Sequence, residues 1–580
     1  MKNYKMIRIG IALAGGIIFL VFHFPGIQEL VLQLGEGLKG TSLRNPDKWK
    51  GLMEQGSFFF AVILFSISFA LNKYDTISCL PKDSSMTDFC LGFPKFILEN
   101  IPLVILITIA TLAIHGIKLG EQVIPIDTEI WLDDRTMNWK EIGRFSLILL
   151  QGLTTFMGQN HYLVNFFSIF LLIASTLTWC YLLWVVSGWQ DKFIYFAFSV
   201  VYCTSPIWVD ILYFTCLSLE VSLAMTLVPA AAYLLFAGLT KKYPLSLVFG
   251  CLILFFVTGM YQSLVVVFCC GLLVCSFFFF ASGKHSPKET RLVFLKGIIC
   301  IVLAVLGYFV VDKILQSYVF NVSPSDYLIN QSHVSPLRVC AAIPVYLFRL
   351  LQNWPMELLL VCLLFPVLFV QDFFKRGSME KIIVFFIVMT MFAFPLVTGG
   401  GVSFRVQLME PVVMGFVAFM VFGRLGKGKQ IFKGIFLAIC LFQIQEASLV
   451  NYTDYLRYQQ DKMVAHDINQ ELQRLECGGL PVVLCGGYSP QYHVDHKKSE
   501  VSGHSIFEWD KGLRPSDSTL RGLAFMKAMG FYYHTTQDES LIQKARLAAE
   551  SMVDYPSPGF VQSLGDVVVV RLSESSYLPE

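Results

Sequence analysis

Ile101-Pro102-Leu103-Val104-Ile105-Leu106-Ile107-Thr108-Ile109-Ala110-Thr111-Leu112-Ala113-Ile114-His115-Gly116-Ile117 forms the body of a mostly apolar run over residues 98–117. Shortly after it comes Ile124-Pro125-Ile126-Asp127-Thr128-Glu129-Ile130-Trp131-Leu132-Asp133-Asp134-Arg135, then Trp139 and Gly143-Arg144. The run is long enough to cross a bilayer as a helix, which needs about 20 apolar residues. The charges that follow therefore sit at a membrane surface beside hydrophobic walls. Charged groups there are costly unless they pair or carry function.

The rest of the chain repeats the pattern. Of 580 residues, 55% are hydrophobic and 15% charged, and the mean hydropathy is +0.61. A soluble fold of this size cannot hide that much apolar surface, so the composition predicts a polytopic membrane protein. A net charge of +2 argues against a nucleic-acid partner. Lys2, Lys5 and Arg8 precede an apolar stretch with no small-residue cleavage site after it, so the first span is expected to remain. Most of the 15 cysteines lie in apolar runs, where they act as small hydrophobes. Cys477 and Cys485 stand in the polar tail, either as an extracellular pair or as two free thiols.

Apolar runs near 7–24, 57–72, 98–117, 161–187, 193–209, 212–238, 243–259, 262–282, 292–313, 352–371, 381–397, 407–423 and 431–448 give about thirteen spans. The stretch 145–157 is too short to cross and reads as a surface helix beginning after Gly143-Arg144. Every second loop is basic: Lys73, Lys82 and Lys95; Lys192; Lys241 and Lys242; Lys284, Lys288 and Arg291; Lys375, Arg376 and Lys381; Arg424, Lys427 and Lys429. Those loops and the N-terminus belong in the cytoplasm, and the loop from Asp127 to Arg144 faces outward. Residues 38–50, with Lys39, Arg44, Lys48 and Lys50, run against this count. After about residue 449 polar residues alternate with short apolar runs. Residues 480–485 and 567–571 read as strands, and 455–475 and 538–553 as helices. The expected architecture is thus an all-α polytopic membrane protein with a small C-terminal extracytoplasmic α/β domain. Residues 1–90 form N-terminal spans, 91–449 a transmembrane catalytic domain and 450–580 the outer domain.

Asp127 and Glu129 lead the residues that can carry chemistry. Their i,i+2 spacing places both on one side of an extended segment, which Pro125 stiffens. One can act as general base for an acceptor hydroxyl while the other orients it or raises its pKa. Asp133 and Asp134 are rival acids, and a solvated loop is the bland alternative for all four. Gly143 permits close backbone approach, and Arg144 offers a planar fork suited to phosphate. Gly399-Gly400-Gly401-Val402-Ser403-Phe404-Arg405 brings a second arginine to the same surface. Glu220, near the outer end of a span, is costly there and functional by default, with helix-packing ion pairing as its alternative. Tyr261 and Gln262 at a tight turn, and Asp326 and Tyr327 in the long outer loop at 314–351, can bind sugar hydroxyls or serve as ordinary anchors. No Walker sequence, CxxC pair, HExxH or GxSxG is present. The four acids could hold a divalent ion, but their spacing fits no dedicated metal site, and no cofactor is expected.

The order of motifs resembles the bacterial Gtr-type glucosyltransferases: Ile126-Asp127-Thr128-Glu129, Trp139, Ile142-Gly143-Arg144-Phe145, Leu219-Glu220, Gly259-Met260-Tyr261-Gln262, and an arginine loop before the last two spans. Asn451-Tyr452-Thr453-Asp454-Tyr455, Tyr458-Gln459-Gln460-Asp461 and Ser505-Ile506-Phe507-Glu508-Trp509-Asp510 follow, as in longer Gram-positive members with a C-terminal domain. The resemblance covers residues 95–580. It implies a GT-C enzyme of the bacterial cytoplasmic membrane, acting on its outer face and inverting the anomeric centre. The enzyme would move a hexose, glucose in the first place, from polyprenyl phosphate to a cell-surface glycan such as O-antigen. Asp127 and Glu129 match the family's acidic pair and Arg144 the arginine after it. Many relatives have adjacent aspartates there, a pattern that Asp133-Asp134 also offers. A lipid-linked sugar flippase or transporter, or a surface-glycan polymerase or ligase, shares the topology. The absence of a clear internal repeat and the clustering of charge at one surface favour the transferase over the transporter.

Overall fold

The computed structural model describes the chain apart from residues 1, 24–26, 30, 34–45, 71–85, 122, 133–138, 155–159, 242, 326–335, 376–377, 402, 426–429, 477–478, 491, 495, 499–501, 509–514 and 574–580. The described residues are mostly helical, with one small sheet near the C-terminus.

Six described helices are long and apolar enough to cross a membrane: Trp49–Ala70, His161–Ser187, Thr215–Lys241, Leu264–Ala281, Pro287–Phe320 and Gln430–Arg474. Three bent pairs bring the number to nine if each is one span, and Pro244–Met260 and Pro355–Gln371 are shorter apolar helices. The sequence count of about thirteen is larger because it also scores apolar runs that form shorter helices, such as Pro244–Met260, Pro355–Gln371, Ser378–Met391 and Met409–Arg424. One bend of 82° separates Leu91–Glu99 from Ile101–His115, where Pro102 falls at the start of the second helix and cannot extend the first. Another, of 41°, splits the expected 193–209 span into Lys192–Thr204 and Pro206–Tyr213. Pro206 opens the second piece, so the break comes at the residue before a proline.

The bundle is held by apolar packing of His161–Ser187, Lys192–Thr204, Thr215–Lys241, Leu264–Ala281 and Met409–Arg424 around residues such as Trp179, Tyr202, Phe198, Phe268 and Phe416. Asn160 caps the first of these helices by accepting from the Leu163 amide at 3.2 Å. On the outside, Ile101, Ile105 and Ile109, then Phe166 and Phe170, then Leu303, Leu306, Phe309 and Val310 are exposed in rows. Continuous apolar surface of this kind is stable against lipid and not against water.

The tail is not a separate helix after the last span. Gln430–Arg474 is one 45-residue helix, about 70 Å at the α-helical rise. Neither glycine nor proline occurs between Gly434 and Gly478 to stop it. Its distal part packs Val464, Ala465, Ile468 and Leu472 against the C-terminal domain. There β1 (Val482–Cys485), β2 (Val561–Ser563) and β3 (Val568–Arg571) form a sheet in the order β1-β3-β2. β1 pairs with β3 in parallel, Val482 against Val568, and β2 pairs with β3 antiparallel. The run Val567–Val570 divides with period two. Val568 and Val570 face the long helix with Phe507, Phe525 and Met526, while Val567 and Val569 pack with Ala545 and Ala549 of Glu539–Ala549. Cys485 is buried in β1; Cys477 lies outside the described residues.

The expected strands and helices of the tail are present, joined by β2 and the helix Pro515–Ala528, which the sequence pattern does not reveal. The long loop expected at 314–351 is a correction. Leu315–Phe320 continues the preceding helix as a π turn, and Pro336–Asn353 is an amphipathic helix. Its apolar residues recur on one face only, so their average hides the helix from a span search.

Candidate active site

The acidic loop is fixed from both ends. Val123 and Ile124 insert into the core of the C-terminal domain beside Tyr458, Leu472 and Phe525. From Asp127 onward the chain is not extended, contrary to the i,i+2 expectation. Asp127 takes a left-handed conformation, φ 68°, which aspartate tolerates better than most side chains. The Thr128 amide then donates to the Pro125 carbonyl at 3.1 Å and the Trp131 amide to the Asp127 carbonyl at 3.0 Å, closing the single turn Thr128–Trp131. The two acids still share a partner. Arg521, on the helix Pro515–Ala528, donates through one terminal nitrogen to Asp127 Oδ1 at 3.0 Å and through the other to Glu129 Oε1 at 2.7 Å.

The two carboxylates differ in their surroundings. The Asp127 side chain is about a quarter exposed, whereas that of Glu129 is fully enclosed. Glu129 Oε2 is buried with no hydrogen-bond partner among the described residues. Burial raises the Glu129 pKa to about 7; the Arg521 charge opposes the rise and Asp127 adds to it. A carboxyl group poised there, with one oxygen held and the other unclaimed, suits proton transfer near neutral pH.

Arg144 is set by the turn before it. Gly143 has φ 77°, and a Cβ there would stand 2.6 Å from the Tyr308 hydroxyl. Tyr308 donates to the Gly143 carbonyl at 2.9 Å, and the Gln262 amide donates to the Ile142 carbonyl at 2.7 Å and to Tyr308 at 3.1 Å. Gln316 and the Ser325 amide bind the Lys140 and Glu141 carbonyls. The guanidinium of Arg144 then lies between two aromatic faces, 4.8 Å from the Trp139 ring and 4.5 Å from Tyr261. Phe145–Leu153 follows as the expected short helix.

Arg405 reaches the same neighbourhood by another route. It lies on the short turn Phe404–Val406, 4.3 Å above the ring of Phe214. Phe214 stands directly before the helix Thr215–Lys241. In the first turns of that helix lie Cys216, within electrostatic reach of Asp127, Glu220, Glu129 and Arg144, and Glu220, itself buried.

The structure thus gathers Asp127, Glu129, Arg144, Glu220 and Arg405 around the start of one helix, with Tyr261 against Arg144 and Gln262 bracing its turn. Asp133, Asp134, Asp326 and Tyr327 lie outside the described residues. Sequence reasoning missed Arg521, since a single arginine in a polar segment carries no signal until the chain folds back. It also missed Arg457, which is fully buried and clamps Asp454 at 2.7 Å and Asp461 at 2.9 Å while donating to the Ile124 carbonyl at 3.3 Å. Asp461 accepts in turn from the Ser505 hydroxyl at 2.5 Å and the Ile506 amide at 3.2 Å. Here the spacing at 454, 457 and 461 on a helix was readable as one charged face. No group of three or more His, Cys, Asp or Glu side chains among the described residues is arranged to hold a metal ion.

The long apolar helices are compatible with a membrane protein, and carboxylates and arginines gather at the start of one of them. Residues 116–422, more than half of the chain, match the family described as Glucosyl transferase GtrII, and the chain belongs to that family. Glucosyltransferase activity is what this membership implies. No curated protein and no solved structure matches the chain. The matched residues include the acid pair, Arg144, Glu220, Tyr261, Gln262 and Arg405; Arg457 and Arg521 lie beyond them.

Proposed function

We propose that this chain is an inverting glycosyltransferase of the bacterial cytoplasmic membrane. It takes a hexose, glucose in the first place, from a polyprenyl-phosphate carrier and transfers it to a cell-surface glycan on the outer face. The observation that carries this reading is Glu129: enclosed, held by Arg521 through one oxygen, with the other unclaimed and a pKa near neutrality.

In this scheme the acceptor hydroxyl gives its proton to Glu129 Oε2. Its oxygen forms the new bond to the anomeric carbon while the bond from that carbon to the phosphate oxygen breaks. The bonding electrons leave with the polyprenyl phosphate, whose charge Arg144 and Arg405 offset. Attack opposite the leaving group inverts the centre, so a β-linked donor gives an α-linked product. The alternation of basic loops supports the outward orientation. The contacts of Arg521 with the acidic loop require loop and C-terminal domain to share one side of the membrane.

Purified full-length protein supplied with radiolabelled polyprenyl-phosphate-glucose and a surface-glycan preparation tests the reading. The expected result is label moving from lipid to polymer with inverted configuration. A donor that remains intact, or label that crosses a sealed vesicle still attached to its lipid, would refute it in favour of inactivity or transport.

A further inference from the structure

A cavity of about 480 Å³ opens beside Glu129, between the acidic loop and the C-terminal domain. Its volume lies within the range of about 300–1,000 Å³ usual for small-molecule sites. Glu129 and His161 come to it from the membrane part, and Tyr458, Lys527 and Tyr532 from the tail. Two of these walls carry buried polar atoms with no hydrogen-bond partner among the described residues: Glu129 Oε2 and His161 Nδ1. Both residues are more than nine-tenths buried. Buried polar groups without partners are rare in folded proteins, and two on the wall of one cavity mark a place where a ligand completes the bonding.

The lining chooses the ligand. Tyrosine rings, a lysine and the two orphaned polar groups suit a hydroxyl-rich, ring-shaped molecule and not a hydrocarbon chain. Neither Arg144 nor Arg405 lines the cavity, so the groups suited to the donor phosphate are elsewhere. Most of the lining comes from residues beyond the family match. We infer that this cavity is the acceptor subsite: it holds the terminal sugar residues of the receiving glycan, with the reacting hydroxyl at Glu129, a neighbouring hydroxyl at His161 and sugar rings against Tyr458 and Tyr532. The inference rests on the proposed transferase function and adds where and by what chemistry the acceptor is read.

Washed membranes expressing the full chain and carrying their own surface glycan, fed with radiolabelled polyprenyl-phosphate-glucose, provide the test. Ala528→Trp plugs the cavity from an exposed position, Tyr532→Ala strips an exposed ring, and His161→Gln alters a buried wall. Incorporation into polymer should fall at least about tenfold in Ala528→Trp and about threefold or more in the other two, with the donor KM within about twofold of wild type. Unchanged incorporation in Ala528→Trp and Tyr532→Ala, or a donor KM that rises in step with the loss, overturns the acceptor assignment. A wild-type chain that never takes the sugar from this donor overturns the proposed function instead, so the two failures are distinct.

Discussion

The guanidinium of Arg521 donates to Glu129 Oε1 at 2.7 Å across 392 residues of chain. Its other terminal nitrogen holds Asp127 at 3.0 Å. The acid pair of the membrane part is therefore completed by an arginine of the C-terminal domain. This contact restrains the acidic loop and holds the Glu129 pKa below the value that burial alone would give.

Glu129→Gln should cut transfer at least about a hundredfold, the usual scale for a lost general base, with the protein still folded. Asp127→Asn should cost less, since asparagine keeps the left-handed backbone and a polar contact to Arg521. Initial rates on the purified variants, with circular dichroism as the folding control, check both.

The pH profile should show an acid limb. In the proposed reaction Glu129 acts as a carboxylate, and its pKa is raised to about 7, so kcat/KM should fall about tenfold per pH unit below that value. Arg521→Gln should move the limb up by about one unit or more, because it removes the opposite charge; Arg521→Lys should move it less. The same shift has a stability counterpart. Between the ordinary carboxyl value of 4.5 and about 7 the folded protein holds a proton that the unfolded chain has lost, so Glu129 makes stability decline as pH rises through that window.

Arg457→Met should destabilise the junction between the long helix and the C-terminal domain by about 3–5 kcal/mol, the range for breaking a buried ion pair. It leaves Asp454 and Asp461 buried without their cation. Thermal unfolding of the detergent-solubilised chain, followed by near-UV circular dichroism, gives the measurement.

Gly143→Ala should lower transfer about tenfold or more by displacing Arg144. The added Cβ meets the Tyr308 hydroxyl and the Asp312 carboxylate at a backbone of φ 77°. Tyr308→Phe removes a single hydrogen bond to the Gly143 carbonyl, a loss of about 1 kcal/mol, and should be milder. Parallel KM and kcat measurements on the donor distinguish a displaced phosphate contact from a general loss of fold.

Much of the candidate site was legible because each acid or arginine next to a long apolar run is conspicuous against it. Asp127, Glu129, Arg144, Glu220 and Arg405 stood out on that ground alone, and the structure brings them to one helix start. Local conformation was less legible. The left-handed turn at Asp127 replaces an extended segment, and a helix at Pro336–Asn353 replaces part of a loop. Bends at Asn100 and Ser205 were hidden because hydropathy is blind to helix direction.

The sequence by itself determined that the chain is mostly helical, with runs apolar enough to cross a membrane and a more polar C-terminal part, and which charged residues flank those runs. Those properties follow from the free energy of burying apolar runs, a sum over neighbours along the chain. Only the tertiary structure decided that Arg521 and Arg457 join the acidic loop, that Glu129 is the enclosed acid and that His161 shares a cavity with it. Such relations depend on distance and burial between residues from tens to hundreds of positions apart, and no local pattern encodes them.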